Sequence, residues 1–109
     1  MKINSRAKGK VGELEARDLL RRFGFTAKRG QQNAGGVDSP DIIHNIPGVH
    51  FEVKRVERLN IDTAMAQAVR DAGENTPCVL HRRNKGKWMA TIPADVLLVL
   101  LGGVDLSDL

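Results

Sequence analysis

The chain has 109 residues, 41% of them apolar, which is enough for one compact domain with its own core and leaves no room for a separate regulatory domain. Lysine and arginine number 17 against 13 aspartate and glutamate residues, so the formal charge is +4 and the sequence pI is about 9.6. This excess favours a polyanion such as nucleic acid as the partner, although many proteins carry a few extra lysines.

Cysteine content and hydropathy bear on the compartment. Cys78 is the single cysteine, so an internal disulfide is excluded and a buried thiol in a reducing compartment is expected. The basic N-terminus has no signal-peptide core, and the longest apolar run, residues 96–101, is far shorter than the roughly 20 residues that span a bilayer. We therefore expect a soluble, intracellular (cytoplasmic) protein.

The first predicted element is a helix that opens with the basic residues 6–10. Gly24 supplies its end. Its apolar stripe at helix spacing consists of Gly12, Ala16, Leu19, Leu20 and Phe23. Glycines at 9 and 12 weaken a helix, so they predict the close approach of a strand or of a phosphate backbone. A first strand at residues 25–29 and a polar, glycine-rich loop at residues 30–38 follow.

The next segments are two predicted strands, residues 41–46 and 49–56, and a second helix that ends before Gly73. Asn60 or Asp62 is the predicted cap of this helix. Its apolar stripe consists of Ile61, Met65, Ala68, Val69 and Ala72.

The remaining elements are two more strands and a final helix. The strands cover residues 77–82 and 87–92, and the helix covers residues 94–101 after Pro93. The sequence therefore predicts one α/β domain over residues 1–109, in the order α-β-β-β-α-β-β-α.

Two carboxylates and a lysine lie on the strands at 41–46 and 49–56. Pro47-Gly48 suits a tight turn, so these strands are predicted to form a hairpin. With a two-residue loop, Asp41 lies opposite Lys54, and the alternation of side chains places Asp41, Glu52 and Lys54 on one face. A longer loop or a bulge would shift this register by one residue.

These residues are the parts of a metal-dependent phosphodiesterase. A divalent cation neutralises charge on the scissile phosphate and supplies hydroxide. Because Mg²⁺ typically needs one or two protein carboxylates, Asp41 and Glu52 with the backbone carbonyl of Val53 are sufficient ligands. Lys54 is predicted to position the attacking water or to stabilise charge in the transition state. Glu13 is the candidate third acid, the alternative being a solvated helix residue.

The ordered motifs of the chain are Lys8-Gly9, Glu13, Pro40-Asp41, Glu52-Val53-Lys54 and Lys87-Trp88. Together they resemble the archaeal-type Holliday junction resolvases of the PD-(D/E)XK nuclease superfamily, over essentially the whole chain. The resemblance implies a restriction-endonuclease-like mixed β-sheet flanked by helices. It also implies a metal site of Glu13, Asp41 and Glu52 with Lys54 as catalytic lysine, Mg²⁺ as cofactor with Mn²⁺ as a substitute, and a homodimer that cuts four-way DNA junctions in recombination or repair. The expected source is a prokaryote, an archaeon or a virus of one.

Further residues are assigned partly through this resemblance. Arg29 matches the family's basic strand-end residue that contacts phosphate, and Ser39 is the candidate replacement for a serine that the family often has after it. The expected DNA contacts are Arg6, Lys8, Lys10, Arg29, Ser39, Arg55, Arg82, Arg83, Lys85 and Lys87. Gln67 resembles a glutamine that faces the site in other small nucleases of the superfamily, the alternative being a neutral surface residue.

Other residues have simpler expected roles. Neither His44 nor His50 is an expected ligand, because the predicted register puts both out of line with Asp41. Trp88 has no aromatic neighbour for a stacking platform, so core packing is expected. The apolar residues 96–101, with Leu106 and Leu109, form either a dimer interface or a simply buried segment.

The sequence leaves the substrate open. A general repair, flap, nicking or restriction-like nuclease would use the same site on other DNA, and a catalytically inactive DNA-binding module is a third possibility. The intact set of Glu13, Asp41, Glu52 and Lys54 speaks against the inactive module.

Overall fold

The computed structural model of the chain describes residues 5–30 and 41–107. These residues form three helices and five strands in the predicted order. The helices are α1 (Ser5–Arg22), α2 (Ile61–Ala72) and α3 (Ala94–Leu100), and the strands are β1 (Ala27–Arg29), β2 (Ile42–His44), β3 (Val49–Arg55), β4 (Thr76–Arg82) and β5 (Met89–Thr91). The α/β class and the mixed sheet are therefore confirmed. Ser39, Pro40 and nearly all of the predicted glycine-rich loop lie outside the described residues.

The described strands pair in two groups. β1 is antiparallel to β2, with Ala27 opposite His44. β3 runs parallel to β4, with Val49 opposite Thr76, and β5 is antiparallel to β4. Adjacent parallel strands need a crossover connection, and α2 provides it between β3 and β4.

The turn between β2 and β3 is present, but the predicted hairpin pairing is wrong. Gly48 has a φ angle of 72°, which suits glycine at the second central position of a type II turn. Among the described residues, however, β2 pairs with β1, and no backbone ladder joins β2 to β3. The expected register, with Asp41 opposite Lys54, is therefore not formed.

Side chains from the two ends of β2 take the place of that ladder. The Asp41 carboxylate accepts a hydrogen bond from the backbone N–H of Val53, at 2.8 Å. The His44 Nε2 donates to the Val49 carbonyl at 2.9 Å, and its Nδ1 accepts from the backbone N–H of Ile46 at 3.0 Å. Both ring nitrogens of His44 are thus engaged in hydrogen bonds that stabilise the turn.

The β3–β4–β5 sheet packs against a helix on each face. The larger core cluster, on the α1 side, contains Ala16, Leu20, Ala27, Ile42, Phe51, Cys78 and Leu80, and Trp88 packs against it. The smaller cluster, on the α2 side, contains Ala64, Ala68 and Val79. The expected burial of Cys78 and packing of Trp88 are confirmed, and burial raises the pKa of the Cys78 thiol to about 11. Phe23 and Val69 are exposed, so their places in the predicted stripes are wrong.

Gly12 marks the point where α1 lies closest to β3. A Cβ atom at Gly12 would lie only 2.8 Å from the Cβ of Arg55, whereas one at Gly9 would meet no atom of the described residues within 4 Å. The close approach of a strand, predicted from the two glycines, is confirmed for Gly12. Arg55 in turn forms an ion pair with Glu15, one helical turn from Gly12, at 2.9 Å.

The helix α3 is unlike the others because none of its residues is buried. It makes no extensive contact with any other described helix or strand. Its apolar side chains are exposed instead, and Leu98, Leu100 and Leu101 are exposed to 59%, 72% and 74%. No helix in the described part of the chain is long and apolar enough to cross a membrane.

Candidate active site

The candidate site lies on the face of β3 that α2 covers. Residues 50, 52 and 54 of β3 project to this face because side chains alternate along a strand. The helix α2 is held there by small residues, since Ala64 and Ala68 pack on Val79, which lies beside Glu52 in the neighbouring strand. Close packing by alanines brings the polar side chains of α2 near those of β3.

Asp41 reaches this face from the start of β2. Its hydrogen bond from the N–H of Val53 fixes one carboxylate oxygen against β3. Burial raises the pKa of the Asp41 carboxyl above its usual value, while the Val53 N–H and the Lys54 ammonium act in the opposite direction. Because the N–H and C=O of one strand residue point to the same edge, the Val53 carbonyl lies at the edge of β3 that Asp41 contacts, and its role as a ligand stays a prediction.

Glu52 is the most deeply buried acid of the group, with 5% of its side chain exposed. Burial raises the pKa of its carboxyl, and the nearby negative charge of Asp41 raises it further, while His50 and Lys54 lower it. Burial disfavours the ionised form of both carboxyl groups, and two carboxylates this close repel each other. A bound cation would offset both effects by stabilising the carboxylates. The donor set therefore fits a divalent metal ion.

Lys54 is held by α2. Its Nζ donates to the Oε1 of Gln67 at 3.0 Å. Gln67 is half-buried, so the expectation that a glutamine from this helix faces the site agrees with the structure better than the surface alternative. The lysine also lies close enough to Asp41 and Glu52 to lower the pKa of both.

Glu13 approaches from α1, at the margin of the group. It is buried, so the solvated alternative for this residue is wrong. Its carboxylate accepts a hydrogen bond from the Nε of Arg29 at 2.8 Å. Burial raises the pKa of Glu13, the hydrogen bond from Arg29 lowers it, and the charge of Asp41 raises it. The negative charge of Asp41 thus reaches Glu13.

Two further residues belong to this group and were not expected from the sequence. The Nε2 of His50 lies 3.2 Å from the Oε2 of Glu52, so the expectation that His50 lies out of line is wrong. Asp71 of α2 has a carboxylate oxygen within 4.8 Å of ligand atoms of both His50 and Glu52. The signal for both was present: His50 has the parity of Glu52 and Lys54 along the strand, and Asp71 follows Gln67 by one helical turn.

The expected DNA contacts are divided between exposed and internally paired residues. Lys10, Arg83, Lys85 and Lys87 are exposed. Arg55 and Arg82 both form ion pairs with Glu15, and Arg29 pairs with Glu13. Ser39 and the side chains of Arg6 and Lys8 lie outside the part of the chain that the structure describes.

No protein-family model, curated protein or solved structure matches this chain. The resemblance to the resolvases therefore stays a prediction.

Proposed function

We propose that this protein is a metal-dependent, structure-selective DNA endonuclease that hydrolyses phosphodiester bonds, with the four-way DNA junction as its substrate. The observation that carries the proposal is the convergence of Asp41, Glu52 and Lys54, because these are the two acids and the lysine that the chemistry needs. Glu52 and Lys54 both lie on β3, and Asp41, which directly precedes β2, is joined to this strand by its hydrogen bond from the Val53 N–H. Glu13 adds a third buried acid beside them.

The residues have distinct tasks in this proposal. Asp41, Glu52 and the Val53 carbonyl would hold the divalent cation, which supplies a Lewis acid and a water of lowered pKa. Lys54 lies beside the carboxylates and places its ammonium group where negative charge develops on the phosphate. Gln67 restricts the position of Lys54 by accepting its hydrogen bond. Arg29 orients the carboxylate of Glu13, which approaches the site from α1, by donating a hydrogen bond to it.

Exposed basic residues supply the sequence-independent part of DNA binding. The turn after β4 contributes Arg83, Lys85 and Lys87, and α1 contributes Lys10, all of them exposed. Arg55 and Arg82 both form ion pairs with Glu15, so we assign these two arginines a structural role between α1 and the turn after β4. We assign the phosphate contacts to the four exposed basic residues.

The junction substrate is proposed because symmetrical resolution needs two cuts and the chain offers one site. A two-fold dimer would supply the second site. The exposed apolar surface of α3 supports a homodimer, because an apolar helix that makes no extensive contact with the other described helices and strands gains stability by packing on a second copy.

The deciding experiment compares cleavage of a four-way junction with that of a linear duplex containing the same sequences, with Mg²⁺ or Mn²⁺ and in EDTA. Wild-type protein should cut the junction, with the cation only. Asp41→Asn should lower the rate by at least about 100-fold, because asparagine can still accept the Val53 hydrogen bond but carries no charge for the metal.

Asp62→Asn is the matched control, since Asp62 is an exposed aspartate in the first turn of α2. It should cleave like the wild type. Cleavage by Asp41→Asn at the wild-type rate would refute the site assignment, and equal cleavage of junction and duplex would favour a general nuclease.

A further inference from the structure

The candidate site contains an imidazole nitrogen that the two-carboxylate metal site does not use. The Nε2 of His50 and one carboxylate oxygen each from Glu52 and Asp71 lie within 4.8 Å of one another. Neighbouring ligand atoms of an octahedral cation, each at about 2.1 Å from it, are about 3.0 Å apart. The Nε2 of His50 and the Oε2 of Glu52, which form a hydrogen bond in this structure, are 3.2 Å apart and therefore close to this spacing.

Two of the three ligands are held in place by the fold. His50 and Glu52 project from alternate positions of β3, and only 10% and 5% of their side chains are exposed. Asp71 comes from the last turn of α2 and is exposed, so its short side chain can adjust towards the other two. The site therefore combines two buried ligands with one that closes from the surface.

The kind of ligand selects the kind of cation. Mg²⁺ prefers oxygen ligands and retains several waters. Imidazole nitrogen together with carboxylates suits first-row transition cations, among which Mn²⁺ also accepts oxygen ligands readily. A histidine at this position therefore discriminates between two cations that the carboxylates alone would treat alike.

We propose that His50, Glu52 and Asp71 form a second cation site, adjacent to that of Asp41 and selective for Mn²⁺ and related transition metals over Mg²⁺. Glu52 belongs to both sites. The negative charge of Asp71 acts on Asp41 as well as on Glu52, so the two sites are electrostatically linked. The inference rests on the proposed function only in its catalytic consequence, which is that Mn²⁺ supports cleavage better than Mg²⁺.

Binding of the metal alone tests the site without DNA. Isothermal titration calorimetry and the loss of the free Mn²⁺ electron paramagnetic resonance signal both measure Mn²⁺ affinity, and Mg²⁺ is then added as competitor. Wild-type protein should bind Mn²⁺ at least about tenfold more tightly than Mg²⁺. His50→Gln and Asp71→Asn should each weaken Mn²⁺ binding about tenfold or more, and His50→Gln should remove most of the preference.

The controls keep the test decisive. Asp62→Asn changes an exposed aspartate of the same helix and should bind Mn²⁺ like the wild type. Asp71 is exposed, so Asp71→Asn tests the site even if the buried His50→Gln variant fails to fold. Unchanged Mn²⁺ affinity in folded Asp71→Asn overturns the proposal.

The same variants separate this inference from the proposed function. If Asp41→Asn abolishes cleavage but Mn²⁺ binding does not depend on His50 and Asp71, the proposed nuclease function stands and the second cation site is refuted. If Mn²⁺ binding depends on both residues but the protein cleaves no DNA, the second cation site stands and the proposed nuclease function is refuted.

Discussion

Replacing Gly12 with alanine tests how closely α1 must lie on β3 for the acids to meet. The new Cβ would lie 2.8 Å from the Cβ of Arg55, about 0.7 Å short of the roughly 3.5 Å at which carbon atoms pack well. The obstacle is a Cβ fixed to the strand backbone, so the side chain of Arg55 cannot rotate away from it. The helix or the strand must move.

The size of the effect follows from two opposing terms. Overpacking of this kind costs about 1–3 kcal/mol. Alanine in place of glycine in a helix recovers up to about 1 kcal/mol. Gly9→Ala, in the same helix with no atom of the described residues within 4 Å of its Cβ, has only the second term. Gly12→Ala should therefore be less stable than Gly9→Ala by about 1–3 kcal/mol, or melt about 4–12 °C lower.

Urea denaturation of both variants measures this difference, and the junction cleavage assay measures its effect on the site. Glu13 follows Gly12 directly, so movement of α1 by a fraction of an ångström displaces this acid relative to Asp41. A displacement near 1 Å can lower a rate about 100-fold. Equal stability and equal cleavage in the two alanine variants would refute the close contact and its role in positioning Glu13.

Four further outcomes are expected. Because burial raises the pKa of Asp41, its protonated carboxyl group contributes to folding stability, fully so below the unfolded pKa, and this contribution is lost as pH rises through the folded pKa. Metal-free Asp41→Asn should thus be more stable than wild type at pH 7, with a smaller advantage at pH 4–5. A less stable variant at pH 7 would contradict this. Gln67→Ala should lower kcat and leave KM nearly unchanged, because it frees Lys54; a change confined to KM would assign Gln67 to binding. DNA affinity should fall with salt at a log–log slope of about −0.9 per phosphate, reduced by about 1 in Lys85→Ala, and a flat dependence would make these charges ordinary surface. Sedimentation should give a dimer, and Leu98→Glu a folded monomer without paired incisions; a monomeric wild type on junction DNA would favour a general nuclease.

Local patterns in the sequence predict the order of elements and the three central site residues. Glu52 and Lys54 lie at alternate positions of β3, Asp41 directly precedes β2, and the Pro47-Gly48 turn joins the two strands. The pairing of β2 with β1 was missed because strand pairing depends on contacts far apart in the chain. The predicted strands before and after β2 both contain apolar residues, so the sequence did not show which of them pairs with β2. The hydrogen bond from the Val53 N–H to the Asp41 side chain is not visible in the pattern of apolar residues.

His50 and Asp71 were missed for a related reason. His50 was excluded by a register that the protein does not adopt, although its parity with Glu52 depends on β3 alone. Asp71 is one of several exposed aspartates in the sequence, and only the packing of Ala64 and Ala68 on Val79 brings its end of α2 over the strand.

The composition of the segment around α3 makes the distribution of charge along the chain uneven. Residues 94–109 contain three aspartates and no lysine or arginine, so the other 93 residues carry 17 basic side chains against 10 acidic ones. The proposed DNA substrate would be repelled by residues 94–109 and attracted by the rest of the chain, which would bias the orientation in which the protein meets it. In a dimer joined through α3, the repelling ends would lie together at the centre and the attracting surfaces would face outward, towards two separate arms of a branched molecule.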